Sequence, residues 1–248
     1  MRHQERLLIL AGVFTMALGL SLTLNPNVLP YYGLALAVLA CAAVPYLLHR
    51  HPAYTFSPTR MILPAALALA APTVAHELGN GPLRLLAVFG PGALLYGLIL
   101  GEYILIQPTQ GTSTQLARLL LAVSAYGIAL GYYLLIYQIK ERSVESGPLA
   151  AIISGALALR LLTLDRPNEW RARLYAAAAG LALAEVWWPL NYWVLNLTAG
   201  GLMLLLALYV LVGIMRQLLA GQFSQAIALE YGTVSLAGLL LVFGATRL

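Results

Sequence analysis

The sequence predicts an all-α fold, a polytopic transmembrane helical bundle with about nine spanning helices. Hydrophobic residues make up 61% of the 248-residue chain and charged residues only 9%, whereas a water-soluble domain has about 25% charged residues. A chain of this composition cannot cover a globule with a polar surface. The same composition, with Cys41 as its single cysteine, excludes a disordered chain, a disulfide-stapled scaffold and a nucleic-acid-binding domain.

Nine apolar runs have roughly the length of about 20 residues that crosses a bilayer. They cover residues 6–24, 29–48, 61–78, 83–106, 116–138, 148–164, 170–188, 192–215 and 228–246. Turn-forming residues such as Asn25-Pro26-Asn27 separate them. The first run is longer than the apolar core of a signal peptide and no small-residue cleavage site follows it, so a retained helix is expected.

The least regular stretch is 170–192. Pro189 and the neighbouring aromatic residues indicate either a membrane interface or a broken helix. Eight spans with one re-entrant segment is therefore the alternative to nine.

The distribution of cations predicts the orientation of the chain. With the N-terminus in the cytoplasm and nine spans, ten cations fall on the cytoplasmic side and four on the other, as positively charged cytoplasmic loops require. The ten are Arg2, Arg6, Arg50, Arg60, Arg118, Arg160, Arg166, Arg171, Arg173 and Arg216, and the four are Arg84, Lys140, Arg142 and Arg247. The sequence therefore predicts a multi-pass protein of the cell (inner or plasma) membrane.

Several intramembrane chemistries lack the residues that they need. Asp165 is the single aspartate, so paired intramembrane aspartates and Asp-rich Mg²⁺ sites are excluded. His76-Glu77 begins like the zinc motif H-E-x-x-H, but residue 80 is Asn. We expect no metal, no cofactor and no catalytic constellation.

The carboxylates within or next to the apolar runs are the candidate functional residues, because an ionisable group in a bilayer is costly. On the predicted topology, Glu102 and Glu230 lie near the cytoplasmic boundary, and Glu77 and Glu185 near the outer one. Each of them can also be explained by a structural ion pair or by snorkelling to water. The full set of candidates with their expected partners is Glu102, Arg160, Glu185, Glu230, His76, Glu77, Trp187 and Trp188.

Two of these candidates have specific expected surroundings. Arg160 lies about one turn inside the sixth helix, on the same predicted side as Glu102, and pairing would neutralise both charges. Glu185 is followed by Trp187 and Trp188, which indicate an aromatic belt or a head-group pocket at the interface.

Small residues predict where helices approach one another. Gly97-x-x-x-Gly101, Gly127-x-x-x-Gly131 and Gly180-x-x-x-Ala184 have the spacing that brings helices together in lipid. Gly90-Pro91-Gly92 predicts a kink in the fourth helix.

We treat residues 1–248 as one transmembrane domain with a candidate internal repeat. The six residues before Glu102 and before Glu185 match at an offset of 83, which would relate 83–164 to 170–246. Three helices per unit would make the repeat inverted, as in many secondary transporters. The alternative is chance agreement in a chain rich in Leu, Ala and Gly.

Three glutamate-containing segments carry a family resemblance. Gly101-Glu102-Tyr103, the stretch from Ala184 to Trp193, and Leu229-Glu230-Tyr231-Gly232 resemble an uncharacterised family of prokaryotic multi-pass integral membrane proteins. The resemblance covers roughly the C-terminal 150 residues. Since that family has no established activity, it implies no catalytic assignment.

The leading functional hypothesis is a non-catalytic, membrane-embedded subunit or scaffold. Its partners would be the lipid bilayer and a membrane protein, or a second copy bound through the small-residue helix faces, and not nucleic acid. The alternative is a small secondary transporter or lipid-handling protein that uses the intramembrane carboxylates. The third hypothesis is an intramembrane enzyme acting on a lipid head group through His76, Glu77 and Glu185.

Overall fold

The computed structural model describes residues 3–49, 54–77, 82–107, 111–139, 143–164, 170–193 and 195–245. Within these residues the fold is all-α, with nine α-helices, two short 3-10 helices and no strand. The α-helices are α1 His3–Ser21, α2 Leu29–Leu48, α3 Ile62–Glu77, α4 Pro82–Ile106, α5 Thr112–Ile139, α6 Ser143–Thr163, α7 Trp170–Tyr192, α8 Leu197–Ala220 and α9 Gln225–Ala245. The predicted all-α class is confirmed, and the number of α-helices among these residues equals the nine predicted.

Six helical stretches of the described residues are long and apolar enough to cross a membrane, by length and composition. They are Pro26–Leu48, Pro58–Glu77, Leu83–Ile106, Thr112–Gln138, Ser146–Thr163 and Leu197–Ala220. These are the features of a membrane protein. The number of spans and the side of the N-terminus stay predictions.

The eighth helix begins and ends about five residues later than its apolar run predicts. Asn196 caps its start, because its side-chain oxygen accepts the Ala199 N–H at 2.8 Å. At its end Gly221 adopts a left-handed conformation with φ 67° and donates its N–H to the Leu218 carbonyl. Polar capping therefore fixes these bounds, and the apolar run alone misplaces them.

The sequence left open whether Pro189 marks a membrane interface or a broken helix, and the structure shows no break there. Helix α7 continues through Pro189 to Tyr192. A proline within a helix removes the hydrogen bond to the carbonyl four residues earlier, here that of Glu185. Because Pro189 lies in the last turn of α7, the loss of this one bond does not end the helix there.

The chain forms two compact units, residues 1–124 and 125–248. The first contains α1 to α4 and the first part of α5, and the second contains the rest of α5 with α6 to α9. The single-domain description and the inverted repeat are not tested by this division and stay predictions.

In the first unit, α2 and α3 pack with almost no space between their backbones. A Cβ atom added at Gly33 would lie 2.5 Å from the Leu69 carbonyl oxygen, so only glycine fits there. The predicted small-residue face at Gly97 and Gly101 also meets a neighbouring helix. Cβ atoms added there would lie 3.6 Å and 3.3 Å from the side chains of Leu120 and Leu121 on α5.

In the second unit, the closest approach is between α6 and α7. A Cβ atom added at Gly180 would lie 2.5 Å from the Ala151 carbonyl oxygen and 3.1 Å from the Gly155 Cα. The predicted contact at Gly180 is therefore confirmed. No atom of a neighbouring helix among the described residues lies within 4 Å of a Cβ added at Gly127 or Gly131, so this predicted small-residue face, on α5, is open.

Candidate functional site

In the second unit, a groove that contains one charged side chain lies between α6 and α7. Its volume is about 530 Å³, and it is lined by Gly147, Pro148, Ala151, Ile152, Leu181, Ala184, Glu185, Trp187 and Trp188. Along α7 it extends from Leu181 to Trp188, a distance of about 10 Å at 1.5 Å per residue. Apolar side chains form its walls, and Glu185 is the single ionisable residue among these lining residues.

The two adjacent tryptophans have different surroundings. Trp187 is fully buried, and its ring N–H donates to the Ser146 hydroxyl at 2.8 Å. Its ring also makes a perpendicular contact with Tyr137, with 5.8 Å between centroids. Trp188, in contrast, is 61% exposed. Trp187 therefore fixes the floor of the groove, while Trp188 stands at its rim.

Glu185 is an exposed carboxylate on the wall of this groove. No hydrogen bond or ion pair links its side chain to any residue that the structure describes. The Glu185 carboxylate is therefore an acceptor that none of the described residues satisfies.

In the first unit, Glu102 is almost fully buried and pairs with a cation that sequence reasoning did not select. Its Oε2 atom lies 3.9 Å from the Arg60 Nε atom, and the side chains are 2% and 18% exposed. Arg60 lies in a 3-10 helix, Pro58–Met61, directly before α3. In the sequence, the indication of this pair is that the predicted topology places Arg60 on the same side of the membrane as Glu102.

The ring of Tyr54 also lies next to the Arg60 side chain. The Arg60 guanidinium carbon lies 5.6 Å from the centroid of the Tyr54 ring, within the range of a cation–π contact. Burial raises the pKa of the Tyr54 hydroxyl above its usual value; the Arg60 charge opposes the rise and the Glu102 charge adds to it. The structure thus brings an anion, a cation and a phenol together in the first unit.

Arg160 is buried in the second unit, near the end of α6. A Glu102–Arg160 pair would join the two units, and it stays a prediction. His76 and Glu77 end α3 in the first unit, whereas Glu185 lies in the second. A catalytic site built from these three residues would likewise join the units and stays a prediction.

Glu230 is exposed at the beginning of α9, beside a row of three tyrosines. The ring centroids of Tyr126 and Tyr209 are 5.9 Å apart, and those of Tyr209 and Tyr231 are 6.3 Å apart. Below Tyr231 lies Gly213, where an added Cβ would overlap the ring. This row joins α5, α8 and α9 by aromatic packing and leaves Glu230 outside it.

The residues that the structure describes include no group of three or more His, Cys, Asp or Glu side chains that could hold a metal ion. Of these two polar sites, the Arg60–Glu102 pair is largely buried, whereas the α6–α7 groove is open. The groove can therefore receive a ligand without rearrangement of a buried ion pair.

Fold and site together define a helical membrane protein with an open groove that holds one carboxylate. Residues 11–245 match DUF5656, a family of proteins of unknown function, and the chain belongs to this family. The resemblance to an uncharacterised family is confirmed. No curated protein and no solved structure gave a significant match.

Proposed function

We propose that this protein is a non-catalytic, lipid-handling integral membrane protein that binds a membrane lipid in the α6–α7 groove. The observation that carries the proposal is the combination, in one groove, of apolar walls, an exposed carboxylate and an exposed tryptophan. The volume of about 530 Å³ lies in the range of about 300–1,000 Å³ that is typical of small-molecule sites.

The position of the polar groups favours a lipid as the occupant. Trp188 and Glu185 lie close to the end of α7, whereas Leu181 lies one to two turns deeper in the helix. Tryptophan is enriched where a bilayer meets water. A head group at Glu185 would therefore be followed by an acyl chain along Leu181 and Ile152.

The groove lacks the second group that catalysis needs. General acid–base chemistry requires a proton donor or acceptor within hydrogen-bond reach of the reacting atoms, and hydrolysis requires an activated nucleophile. Glu185 is the single titratable side chain among the lining residues. The arrangement supports binding better than turnover.

A subunit or scaffold of a larger membrane assembly is the second candidate. The open face of α5 at Gly127 and Gly131 favours it, because this spacing permits close helix association in lipid. This face could hold a partner helix or a second copy. A transporter that uses the buried Glu102, or an enzyme that uses His76 and Glu77, has no comparable support in either unit.

We also propose nine membrane spans, a cytoplasmic N-terminus, and residence in the inner or plasma membrane of a prokaryote. The support is the excess of cations on one predicted side and the nine helices found among the described residues. Reporter domains fused to the two ends are expected to lie in opposite compartments, because the number of spans is odd. Two reporters in one compartment would contradict this topology.

Filling the groove tests the lipid-binding proposal. Ile152, which is 69% exposed, lines the groove, so Ile152→Trp places an indole where the acyl chain would lie. We expect the apparent affinity for a defined phospholipid to fall about tenfold, or about 1.4 kcal/mol. Native mass spectrometry of the detergent-solubilised protein measures this directly.

The matched control is Leu149→Trp, on the same helix but outside the groove lining, which should bind lipid like the wild type. Equal lipid binding by Ile152→Trp and the wild type would reject the groove as the site. A second polypeptide that remains bound in the same spectra, with no retained lipid, would support the assembly subunit instead.

A further inference from the structure

We propose that the α6–α7 groove selects a phospholipid with a primary ammonium head group, held by Glu185 and Trp188. This inference rests on the proposed lipid-binding function and adds the chemistry of the head group to it. Nothing in the family description assigns a ligand.

The charge of Glu185 points to a cationic ligand. A carboxylate near the end of an apolar helix is costly in a bilayer unless it is neutralised or reaches water. Glu185 has no ion pair with any of the described residues, and none of the described residues that line the groove is Arg, Lys or His. A ligand cation would neutralise it, whereas a head group of net negative charge would be repelled.

The surrounding groups suit an ammonium with N–H donors. A primary ammonium has three donors, and the exposed Glu185 carboxylate offers two oxygens that can accept them. Trp188 is three residues after Glu185 and therefore lies on the same side of α7. Its exposed ring can add a cation–π contact.

A quaternary ammonium fits this site less well. It can make the cation–π contact with Trp188, but it has no N–H to donate to Glu185. The site should therefore prefer an ethanolamine head group to a choline head group, since a hydrogen bond to a charged partner is stronger than one between neutral groups.

The walls of the groove favour a lipid over a water-soluble amine. The groove is also lined by Leu181, Ile152 and Ala184, whose apolar side chains suit contact with hydrocarbon. A soluble amine would use Glu185 and Trp188 but would leave these walls unfilled. The ligand of the groove is therefore a membrane lipid and not a soluble amine.

The test compares three phospholipids with identical acyl chains in titrations of the detergent-solubilised protein, read by native mass spectrometry. Phosphatidylethanolamine should bind the wild type about tenfold more tightly than phosphatidylglycerol or phosphatidylcholine, as one charge-assisted contact implies. In Glu185→Gln this preference should disappear, because affinity for phosphatidylethanolamine falls and the repulsion of phosphatidylglycerol is removed. Glu230→Gln is the matched control, since it removes the charge of another exposed glutamate and should retain the preference.

Competition with soluble phosphoethanolamine tests whether the ligand is a lipid or a free amine. Phosphoethanolamine should not displace bound phosphatidylethanolamine when it is added at the concentration at which that lipid saturates the protein. Displacement at that concentration would overturn the assignment to a lipid. A preference that persists in Glu185→Gln would overturn the inference and leave the lipid-binding function standing. Absence of binding to all three lipids would overturn both.

Discussion

Replacing Glu102 by leucine is expected to lower the free energy of unfolding by about 3 kcal/mol, because it leaves the partly buried Arg60 charge without its carboxylate partner. Glu102 is 1% exposed and its carboxylate lies 3.9 Å from Arg60. Arg60 keeps some contact with solvent, which limits the loss to the lower end of the usual range. Unfolding by a denaturing detergent in mixed micelles measures the change.

The double variant Arg60→Met/Glu102→Leu distinguishes the stability lost to an unpaired charge from the stability lost to poorer packing. Replacing both partners by apolar groups is often close to neutral, so the double variant should be more stable than Glu102→Leu alone. Glu230→Leu removes an exposed carboxylate and should change stability by less than about 0.5 kcal/mol. If Glu102→Leu unfolds like the wild type, the buried pair does not stabilise the first unit.

Replacing Gly180 by alanine is expected to destabilise the second unit by about 1–3 kcal/mol, the usual cost of an inserted carbon in a closely packed interior. The added Cβ would lie 2.5 Å from the Ala151 carbonyl oxygen. Both atoms are attached to helix backbones, so the strain can be relieved only if α6 and α7 separate. The melting temperature in detergent should fall, and the groove between these helices should bind lipid more weakly.

Gly127→Ala is the control for this substitution. It makes the same chemical change in an α-helix, but no atom of a neighbouring helix among the described residues lies within 4 Å of the added Cβ. Its stability should be unchanged or slightly higher, because alanine exceeds glycine in helix propensity by up to about 1 kcal/mol. Equal melting temperatures of the Gly180 and Gly127 variants would show that the close approach of α6 and α7 is not required.

The helices could be predicted well because a membrane helix needs a long apolar run, and turn-forming residues mark its ends. The failures have local polar causes. The start of α8 depends on the Asn196 side chain, which hydropathy does not register. A break of α7 at Pro189 was one of two open interpretations, but the position of Pro189 in the last turn makes its missing N–H inexpensive.

The candidate site could be predicted only in part. The sequence selected Glu185, Trp187 and Trp188 as neighbours, but adjacent helical residues point about 100° apart. Which tryptophan faces inward depends on Ser146, 41 positions earlier. The topology placed several cations on the side of Glu102, and it could not distinguish Arg60 from Arg160. Side-chain partners distant in sequence require the tertiary structure.

The burial of Trp187 also gives the protein a natural spectroscopic reporter. Its indole is fully enclosed, whereas those of Trp170, Trp188 and Trp193 are 64%, 61% and 46% exposed. A water-soluble quencher such as acrylamide or iodide can reach the exposed indoles much more readily than the enclosed one. The quencher-resistant part of the intrinsic fluorescence therefore reports, without any label, whether α6 and α7 remain in contact.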